Sequence, residues 1–278
     1  MLAFAANSLL CREALRAAHC DAASFTAVRI ASAALALWLV LKLRGARADG
    51  PAATPARRRG SRPAACALFV YAAGFSFAYL ALPASVGALL LFAAVQATMV
   101  GYGLLHGERL AARQALGLAL AFAGLVCLLL PGLEAPPLAG AMLMLAAGAA
   151  WGVYSLLGRG RGDPAADTAG NFIRALPPAA ALLAVMAAAT PRVAMDPAGL
   201  VLAVASGALA SGLGYALWYA VLPHLSATRA AAVQLSVPVI AAAGGALLLG
   251  EAVTLRLALS SAAVLGGIAL AVLGPRRA

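Results

Sequence analysis

Polar and aromatic side chains occur at intervals inside the long apolar runs of this sequence, and their types could bind a solute. They are Asn7, Ser8, Tyr79, Gln96, Thr98, Trp151, Tyr154, Tyr215, Trp218, Gln234 and Ser236. A polar side chain in hydrocarbon is costly without a partner, so these residues are natural contacts for a solute inside a membrane. Gln96 and Gln234, expected at comparable depths, would offer amide donors and acceptors to a zwitterionic solute.

Each of these residues also has a structural interpretation. Gln96 and Gln234 could bond neighbouring helices rather than line a pore. Trp218, Tyr219 and Tyr79 are as typical of an aromatic belt at the membrane interface as of a substrate wall. The sequence alone therefore predicts a set of candidate contacts and leaves both interpretations open.

Pro238 interrupts a predicted helix and removes one backbone hydrogen bond, which is equally typical of a hinge and of a static kink. Small residues recur at helical spacing in two other predicted helices, as Gly148 with Gly152 and Ala208 with Gly212. Such pairs let helices approach closely, so close packing is predicted at both.

Residue types that serve catalysis or metal binding are poorly placed. The three histidines, His19, His106 and His224, have no second ligand at i+3 or i+4, so no metal site is predicted. The four cysteines lack C-x-x-C spacing and indicate buried thiols. No Asp or Glu lies at the centre of an apolar run, which favours facilitated diffusion, or coupling through a less obvious group, over proton exchange through a buried carboxylate. No cofactor is expected.

Two glutamates follow glycines at predicted helix ends, Glu108 after Gly107 and Glu251 after Gly250. A carboxylate in that position can cap a neighbouring helix or pair with a nearby arginine; Arg109, Arg113 and Arg256 are the candidates. This structural interpretation is favoured over a proton relay.

The apolar runs are long enough to cross a membrane. Of the 278 residues 64% are hydrophobic and 10% charged, and the mean hydropathy is +0.95, which excludes a soluble domain. Helices of roughly 17 to 25 apolar residues cross the hydrocarbon layer. Ten spans are predicted, near Leu2–Leu15, Phe25–Leu41, Ala64–Ala84, Val86–His106, Ala115–Pro131, Leu138–Leu157, Phe172–Ala189, Leu200–Leu222, Ala230–Leu249 and Leu257–Leu273. An all-α membrane protein is expected.

The net charge of +11 reflects cations in the breaks between these runs rather than a nucleic-acid surface. The predicted cytoplasmic cations are Lys42, Arg44, Arg47, Arg57, Arg58, Arg59, Arg62, Arg109, Arg113, Arg159, Arg161, Arg276 and Arg277; the opposite side receives Arg16, Arg192 and Arg256. A bacterial inner-membrane protein is expected, and the asymmetry predicts that both of its termini are cytoplasmic, although coding bias accounts equally well for individual arginines. The break at 44–62 is expected to contact lipid headgroups.

The two halves of the chain share a pattern in the same order. The matching segments are Ser8–Arg12 with Ser155–Arg159, Tyr79–Pro83 with Tyr219–Pro223, Gly107-Glu108 with Gly250-Glu251, and Gly124 with Gly267. Residues 1–133 and 134–278 are therefore predicted to form two five-helix repeats. Because five is odd, the second repeat would enter the membrane in the opposite sense, which is the architecture of a transporter with a central cavity.

With these features the chain resembles the EamA-type members of the drug/metabolite transporter superfamily. The resemblance rests on Arg29, Trp151-Gly152, Pro238 and the two Gly-Glu pairs. It implies a basket-like bundle that exports amino acids or other small metabolites without ATP, by alternating access. The chain departs from the pattern at Phe4-Ala5, where Trp-Gly is usual, and at Val95-Gln96, where a proline is usual.

Three other functions fit the sequence less well than a metabolite exporter does. A multidrug exporter of lipophilic cations would need an anionic cavity, which the sequence does not supply. An intramembrane enzyme would need a nucleophile with a base, or a metal cluster, at membrane depth. A purely structural membrane component would leave the inverted repeat without a purpose. The expected partners are a small-molecule substrate and membrane lipids, without nucleic acid, and the chain is expected to be a monomer.

Overall fold

The computed structural model describes residues 1–45, 60–107, 111–132, 135–158, 163–189, 195–221, 224 and 233–272. Over these ranges the regular structure is helical, apart from one isolated β-bridge between Cys20 and Met195. The helices are α1 Leu2–Arg16, α2 Ala22–Gly45, α3 Arg62–Ala78, α4 Ala84–Leu105, α5 Ala112–Leu129, α6 Leu138–Leu157, α7 Pro164–Ala189, α8 Pro197–Val221, α9 Ser236–Leu249 and α10 Leu255–Val272. The expected all-α class is confirmed.

Within the described ranges, seven helices have the length and hydropathy needed to cross a membrane: α2, α4, α5, α6, α7, α8 and α10. Helices α3 and α9 are also apolar but shorter, with 17 and 14 residues. Many large apolar side chains of the described helices face outward; Phe122 of α5, for example, is 69% exposed and Leu247 of α9 is 83% exposed. An apolar exterior of this kind is suited to lipid, and the chain is a multi-pass membrane protein.

Helix α7 begins earlier than the sequence predicts, at Pro164 instead of Phe172. The segment before Phe172 is polar and resembles a loop, but the carboxylate of Asp163 accepts a hydrogen bond from the amide of Ala166 and caps the helix. Pro164 occupies the first helical position, where a backbone N–H would have no acceptor within the helix, so proline costs no hydrogen bond there. Local capping therefore extends the helix by two turns.

Several predicted features lie outside the described residues. They are the cations Arg47, Arg57, Arg58, Arg59, Arg109, Arg159, Arg161, Arg192, Arg276 and Arg277, the carboxylate of Glu108, and Pro223.

The principal helix contacts are unchanged when α1 to α5 are exchanged in order with α6 to α10. The pairs α5–α10, α2–α7 and α4–α9 map onto themselves. The pair α3–α6 corresponds to α8–α1, α4–α6 to α9–α1, α2–α8 to α7–α3, and α2–α3 to α7–α8, and all of these are in contact.

The helix ends show the same correspondence. Gly107 after α4 and Gly250 after α9 both have positive φ, +89° and +65°, a conformation that favours glycine.

Glycines also bring α5 and α10 close together. A Cβ added at Gly117 would lie 2.5 Å from the carbonyl oxygen of Gly267, while one at Gly124 would lie 3.1 Å from that of Ser260. Helices α5 and α10 therefore meet backbone to backbone at two levels.

Small residues also let α6 approach α4. A Cβ at Gly148 would lie 2.5 Å from the carbonyl oxygen of Leu91, and one at Gly152 would lie 2.8 Å from the Cβ of Thr98. The predicted close packing at Gly148 and Gly152 is confirmed.

Helix α8 contains a π-helical segment, Ala205–Leu213. In this geometry the backbone bonds join residues five apart, and such segments are frequent at functional sites. The segment packs tightly on α2, since a Cβ at Gly207 would fall 2.2 Å from the carbonyl oxygen of Arg29.

The bundle has two ends, defined here by their polar residues. The Arg12 end holds the C-termini of α1, α3, α5 and α9 and the N-termini of α4, α8 and α10. Hydrogen bonds of five side chains join these termini, those of Arg12, Arg16, His19, Glu251 and Arg256. The Asp167 end holds the N-termini of α3 and α7. Gly107 lies beyond the C-terminus of α4 and Gly250 beyond that of α9, so the two are at opposite ends.

Candidate central binding site

A small cavity lies where the two halves meet. Its lining residues are Phe4, Asn7, Tyr71, Phe75, Leu91, Phe92, Trp151 and Tyr215. They come from α1, α3, α4, α6 and α8, and the volume is about 10 Å³. That space holds about one water molecule and is too small for an organic solute.

Aromatic rings form most of the cavity wall. Phe4 packs edge-on against Trp151, Tyr215 and Trp218, with ring centroids 6.3, 5.5 and 6.0 Å apart. Trp151 lies 4.8 Å from Tyr71 and 4.7 Å from Tyr215. Rings at these distances attract one another and present apolar faces to anything bound between them.

Directly behind this wall lies Arg29 of α2, which is 1% exposed. Its Nε donates to the hydroxyl of Ser211 at 3.1 Å, and one Nη donates to the hydroxyls of Tyr71 at 2.9 Å and Tyr215 at 3.5 Å. The guanidinium also lies over the rings of Tyr71 and Phe75, at 5.2 and 4.8 Å. Its other Nη is buried and has no hydrogen-bond partner among the described residues.

The side chain of Asn7 connects the cavity to the π-helical segment of α8. Its Oδ1 accepts hydrogen bonds from the hydroxyls of Ser206 at 2.7 Å and Ser211 at 3.3 Å. The π-helical geometry explains how one acceptor serves two serines five residues apart. Asn7, Ser211 and Arg29 therefore form one buried polar network across α1, α2 and α8.

The carboxylates of the described residues all lie near or beyond helix ends, away from this network. They are Glu13, Asp21, Asp163, Asp167, Asp196 and Glu251. None of them forms a salt bridge with Arg29. The described part of the cavity region thus carries a buried positive charge without a paired negative one.

Contacts between the two halves close the Arg12 end. Glu251 accepts from the amide of Ala84 at 2.9 Å, which caps α4, and from the Nε of Arg12 at 3.3 Å. Arg12 also donates to the carbonyl of Tyr79 at 3.0 Å, and Arg16 donates to that of Leu249 at 2.7 Å. The predicted capping by Glu251 is confirmed, with Arg12 as its charged partner; Arg256 instead donates to the carbonyls of Cys127 and Leu130.

His19 and Asp196 add a second link at this end. The imidazole Nδ1 lies 2.7 Å from the carboxylate, which also caps α8 by accepting from the amide of Gly199 at 2.7 Å. The Gly199 amide and then His19 lower the pKa of Asp196 below its ordinary value of 3.8. Cys20, next to His19, is buried, and desolvation raises its pKa to about 11.

Hydrogen bonds to two backbone amides join the halves at the Asp167 end. Asp167 accepts from the amide of Gly60 at 3.0 Å, and Asn171 accepts from that of Ser61 at 2.9 Å. Beside them is a second cavity of about 20 Å³, lined by Tyr154, Leu157, Gly158, Pro164, Asp167, Thr168, Asn171 and Tyr219. Among the described residues, fewer charged side chains join the halves at this end, and the cavity beside them is larger.

Three of the candidate contacts, Asn7, Trp151 and Tyr215, line the central cavity. Tyr154 is buried at the second cavity instead. Trp218 is half-buried and packs on Phe4, behind the central wall.

Two further candidates lie toward the Arg12 end. Ser8 and Tyr79 are both buried, and the Tyr79 hydroxyl donates to the carbonyl of Ala84 at 3.3 Å. Tyr79 is also packed edge-on against Phe75, at 4.7 Å between ring centroids. Full burial among helix ends is unlike an aromatic belt facing lipid headgroups.

The glutamines do not lie at comparable depths, contrary to the sequence expectation. Gln96 is buried in the middle of α4, whereas Gln234 is half-buried and precedes the first residue of α9. The error comes from placing the start of the ninth span at Ala230, since α9 begins at Ser236. Ser236 bonds its hydroxyl to the carbonyl of Val233 at 2.6 Å.

Thr98 is half-buried and donates to the carbonyl of Ala94 at 2.8 Å, within its own helix. Pro238 is buried in the first turn of α9, where its missing N–H has no helical partner to lose. A proline in that position starts a helix rather than interrupting its interior.

Sequence reasoning did not include Arg29, Tyr71, Phe75, Ser206 or Ser211 among the candidate contacts. A detectable signal existed for Arg29, because a charged residue inside a predicted membrane span is expected to be functional. The serines carry no such signal, since their common partner depends on the π-helical geometry.

Comparison with known proteins agrees with the fold and the family. Residues 138–273 match the EamA-like transporter family. An uncharacterized protein of Pseudomonas aeruginosa is 58% identical over 276 residues, which cover 99% of this chain and 92% of that protein. A crystal structure of a protein 21% identical to this chain superposes with a TM-score of 0.63, covers 98% of this chain and 96% of its own, and shows the fold alone. The chain belongs to the EamA-like transporter family.

Proposed function

We propose that this protein is a secondary transporter that exports small metabolites such as amino acids across the bacterial inner membrane by alternating access. The observation that carries the proposal is the small aromatic and polar cavity where the two halves meet. Contacts between the halves at Glu251 and at Asp167 are proposed to close it at its two ends. A solute bound there is separated from both compartments until one end opens.

The ten helices are proposed to cross the membrane as two inverted repeats, residues 1–133 and 134–278. The contact pairs that survive exchange of the halves support this arrangement. So do the left-handed Gly107 and Gly250, which end corresponding helices at opposite ends of the bundle. Inverted repeats give two related halves that can exchange conformations around one central site.

The termini are proposed to be cytoplasmic, so that the Arg12 end faces outward and the Asp167 end inward. Lys42, Arg44 and Arg62 lie at helix ends on the proposed cytoplasmic side, as the positive-inside rule favours. The proposed partners are the transported solute and membrane lipids, with the chain acting as a monomer and without nucleic acid.

The match to a transporter family favours a carrier over an intramembrane enzyme. A multidrug exporter of lipophilic cations is disfavoured by the buried guanidinium of Arg29, which would repel a cation in the cavity.

Flux through proteoliposomes tests the proposal. A screen of amino acids and other small metabolites, with and without a pH gradient, should identify a saturable substrate. Trp151→Ala should then lower its flux at least about tenfold, because the cavity loses its central ring. Phe122→Ala is the matched control, since this ring is 69% exposed on the outer surface of α5 and should not change flux. Equal flux in both variants would remove Trp151 from the site.

Labelling of single cysteines tests the inverted arrangement. In a protein without other cysteines, His106→Cys and Ala252→Cys, at exposed positions beside Gly107 and Gly250, should react with a membrane-impermeant maleimide from opposite sides of the membrane. Reaction of both from the same side would contradict the repeat.

A further inference from the structure

We propose that Arg29, together with Tyr71 and Tyr215, binds a carboxylate, and that the solute is a small organic monocarboxylate with an apolar body. This inference rests on the proposed function and deepens it by naming the substrate class. It follows from the charge and hydrogen-bond balance of the buried network behind the cavity wall.

The first argument is the unpaired charge. Arg29 is 1% exposed and none of the described carboxylates forms a salt bridge with it. A buried guanidinium without a negative partner is costly, and hydroxyls and ring faces compensate only part of the lost hydration. An anion that arrives with the substrate would supply the missing partner.

The second argument is a surplus of hydrogen-bond donors. Arg29 keeps one Nη without an acceptor, although it bonds Ser211, Tyr71 and Tyr215 with its other nitrogens. The Tyr71 oxygen accepts from both Arg29 and Tyr215, which leaves its own O–H proton to be donated. The Oδ1 of Asn7 is already occupied by two serines. Arg29 and Tyr71 therefore have hydrogen-bond donors without acceptors. A carboxylate brings two acceptor oxygens in a geometry that suits arginine.

The third argument concerns the rest of the solute. The cavity wall beside this donor group is apolar and aromatic, with Phe4, Phe75, Leu91, Phe92 and Trp151. None of the described carboxylates lines this cavity, so an ammonium group would find ring faces but no ion pair. A carboxylate with an apolar body matches both parts of the site, whereas a bare amine matches neither the charge nor the donors.

Tyr71 and Tyr215 provide the path from the cavity to the guanidinium. Both rings line the cavity and both hydroxyls bond Arg29. In the closed protein the space is about 10 Å³, so the carboxylate enters when one end opens and the rings separate.

Three probes with the same phenyl body and different head groups test this assignment: 3-phenylpropionate, L-phenylalanine and phenethylamine. Binding to the detergent-purified protein, measured by the fluorescence of its tryptophans, should be tightest for 3-phenylpropionate and weakest for phenethylamine. Equal binding of the three, the reverse order, or no saturable binding of 3-phenylpropionate would overturn the inference.

Variants then assign the preference to Arg29. Arg29→Gln should weaken 3-phenylpropionate binding about 10- to 100-fold, the range for a lost charge-assisted hydrogen bond, and phenethylamine binding should stay unchanged or improve. Arg29→Lys keeps the charge and should retain part of the preference for 3-phenylpropionate over phenethylamine. Tyr71→Phe leaves the guanidinium of Arg29 in place but should weaken carboxylate binding. Arg174→Gln is the matched control, because Arg174 lies in α7 outside the cavity lining and bonds the carbonyl of Gly170.

The outcomes separate this inference from the proposed function. Selective binding of 3-phenylpropionate without flux in proteoliposomes would support the carboxylate site and contradict transport. Flux that does not distinguish carboxylate from amine, or is unchanged in Arg29→Lys and Tyr71→Phe, would overturn the carboxylate site and leave transport standing.

Discussion

The two ends of the bundle are closed by different chemistry. At the Arg12 end a carboxylate and a guanidinium bridge the halves, with side chains only 10% exposed for Glu251 and 18% for Arg12. At the Asp167 end, Asp167 and Asn171 each accept a hydrogen bond from one backbone amide, beside a cavity of about 20 Å³. Judged by the contacts of the described residues, the ionic closure should be the stronger, so opening at the Asp167 end should require less free energy.

That difference bears on alternating access. A carrier whose ends have unequal closures favours one open state in the absence of solute, and each closure can be weakened separately to shift the population. With the proposed orientation, the protein without solute should open more often toward the cytoplasm, where an exporter takes up its substrate.

The largest effect is expected for Glu251→Ala. It removes the cap of α4 and leaves Arg12 half-buried without its carboxylate, so the free energy of unfolding should fall by about 2 kcal/mol, less than the roughly 3–5 kcal/mol for fully buried pairs. Thermal unfolding in detergent measures the loss. A cysteine at Leu91, in the cavity wall, should also react faster with maleimide from the side that the Arg12 end faces.

Glu13→Gln is the control for this variant. Glu13 pairs with Arg16 at the same end, but within one helix and with side chains 33% and 38% exposed. Its loss should cost about 0.5 kcal/mol or less. Equal effects of the two substitutions would show that the Arg12–Glu251 pair does not join the halves.

The second effect is expected for Asp167→Ala, which removes one hydrogen bond to the amide of Gly60 and should lower the free energy of unfolding by about 1 kcal/mol. The cysteine at Leu91 should now react faster from the side that the Asp167 end faces. Asp167→Asn keeps an acceptor oxygen and should retain most of the closure. Faster reaction from the Arg12 side instead would contradict the assignment of the two ends.

The sequence predicts the helices well and the site only in part. The sequence favours a structural role for Glu251, either capping a neighbouring helix or pairing with an arginine, and Glu251 caps α4 and pairs with Arg12. Trp151 and Tyr215 were expected as contacts because aromatic residues inside membrane helices are conspicuous, and both line the cavity.

The network around Arg29 could not be derived from the sequence, because its members are far apart along the chain. Arg29 and its partner Tyr215, for example, are 186 residues apart. Ser206 and Ser211 share an acceptor only because α8 adopts π-helical geometry there, which their spacing does not reveal. Likewise, the start of α7 depends on one capping carboxylate, Asp163, within a segment whose composition resembles a loop.

A smaller effect should appear at acid pH, at the Arg12 end. The pKa of Asp196 is lowered in the folded protein, so its contribution to stability is present above the ordinary value of 3.8 and is lost as the pH falls through the lowered pKa. The melting temperature in detergent should therefore fall more steeply below about pH 4 in the wild type than in Asp196→Asn, which keeps a capping oxygen without the charge. Identical pH profiles would show that the His19–Asp196 link adds nothing.

The smallest effect concerns the reactivity of Cys20, a native thiol that can report opening of the Arg12 end without an introduced cysteine. Desolvation raises its pKa from 9.0 to about 11, so at pH 8 its thiolate fraction should be about 100-fold lower than that of an unburied thiol. With the other cysteines replaced by alanine, Cys20 should react with maleimide only slowly. Glu251→Ala should accelerate the reaction, because water reaches Cys20 when this end opens, and Asp167→Ala should not. Acceleration by both substitutions would mean that the two closures open together rather than alternately.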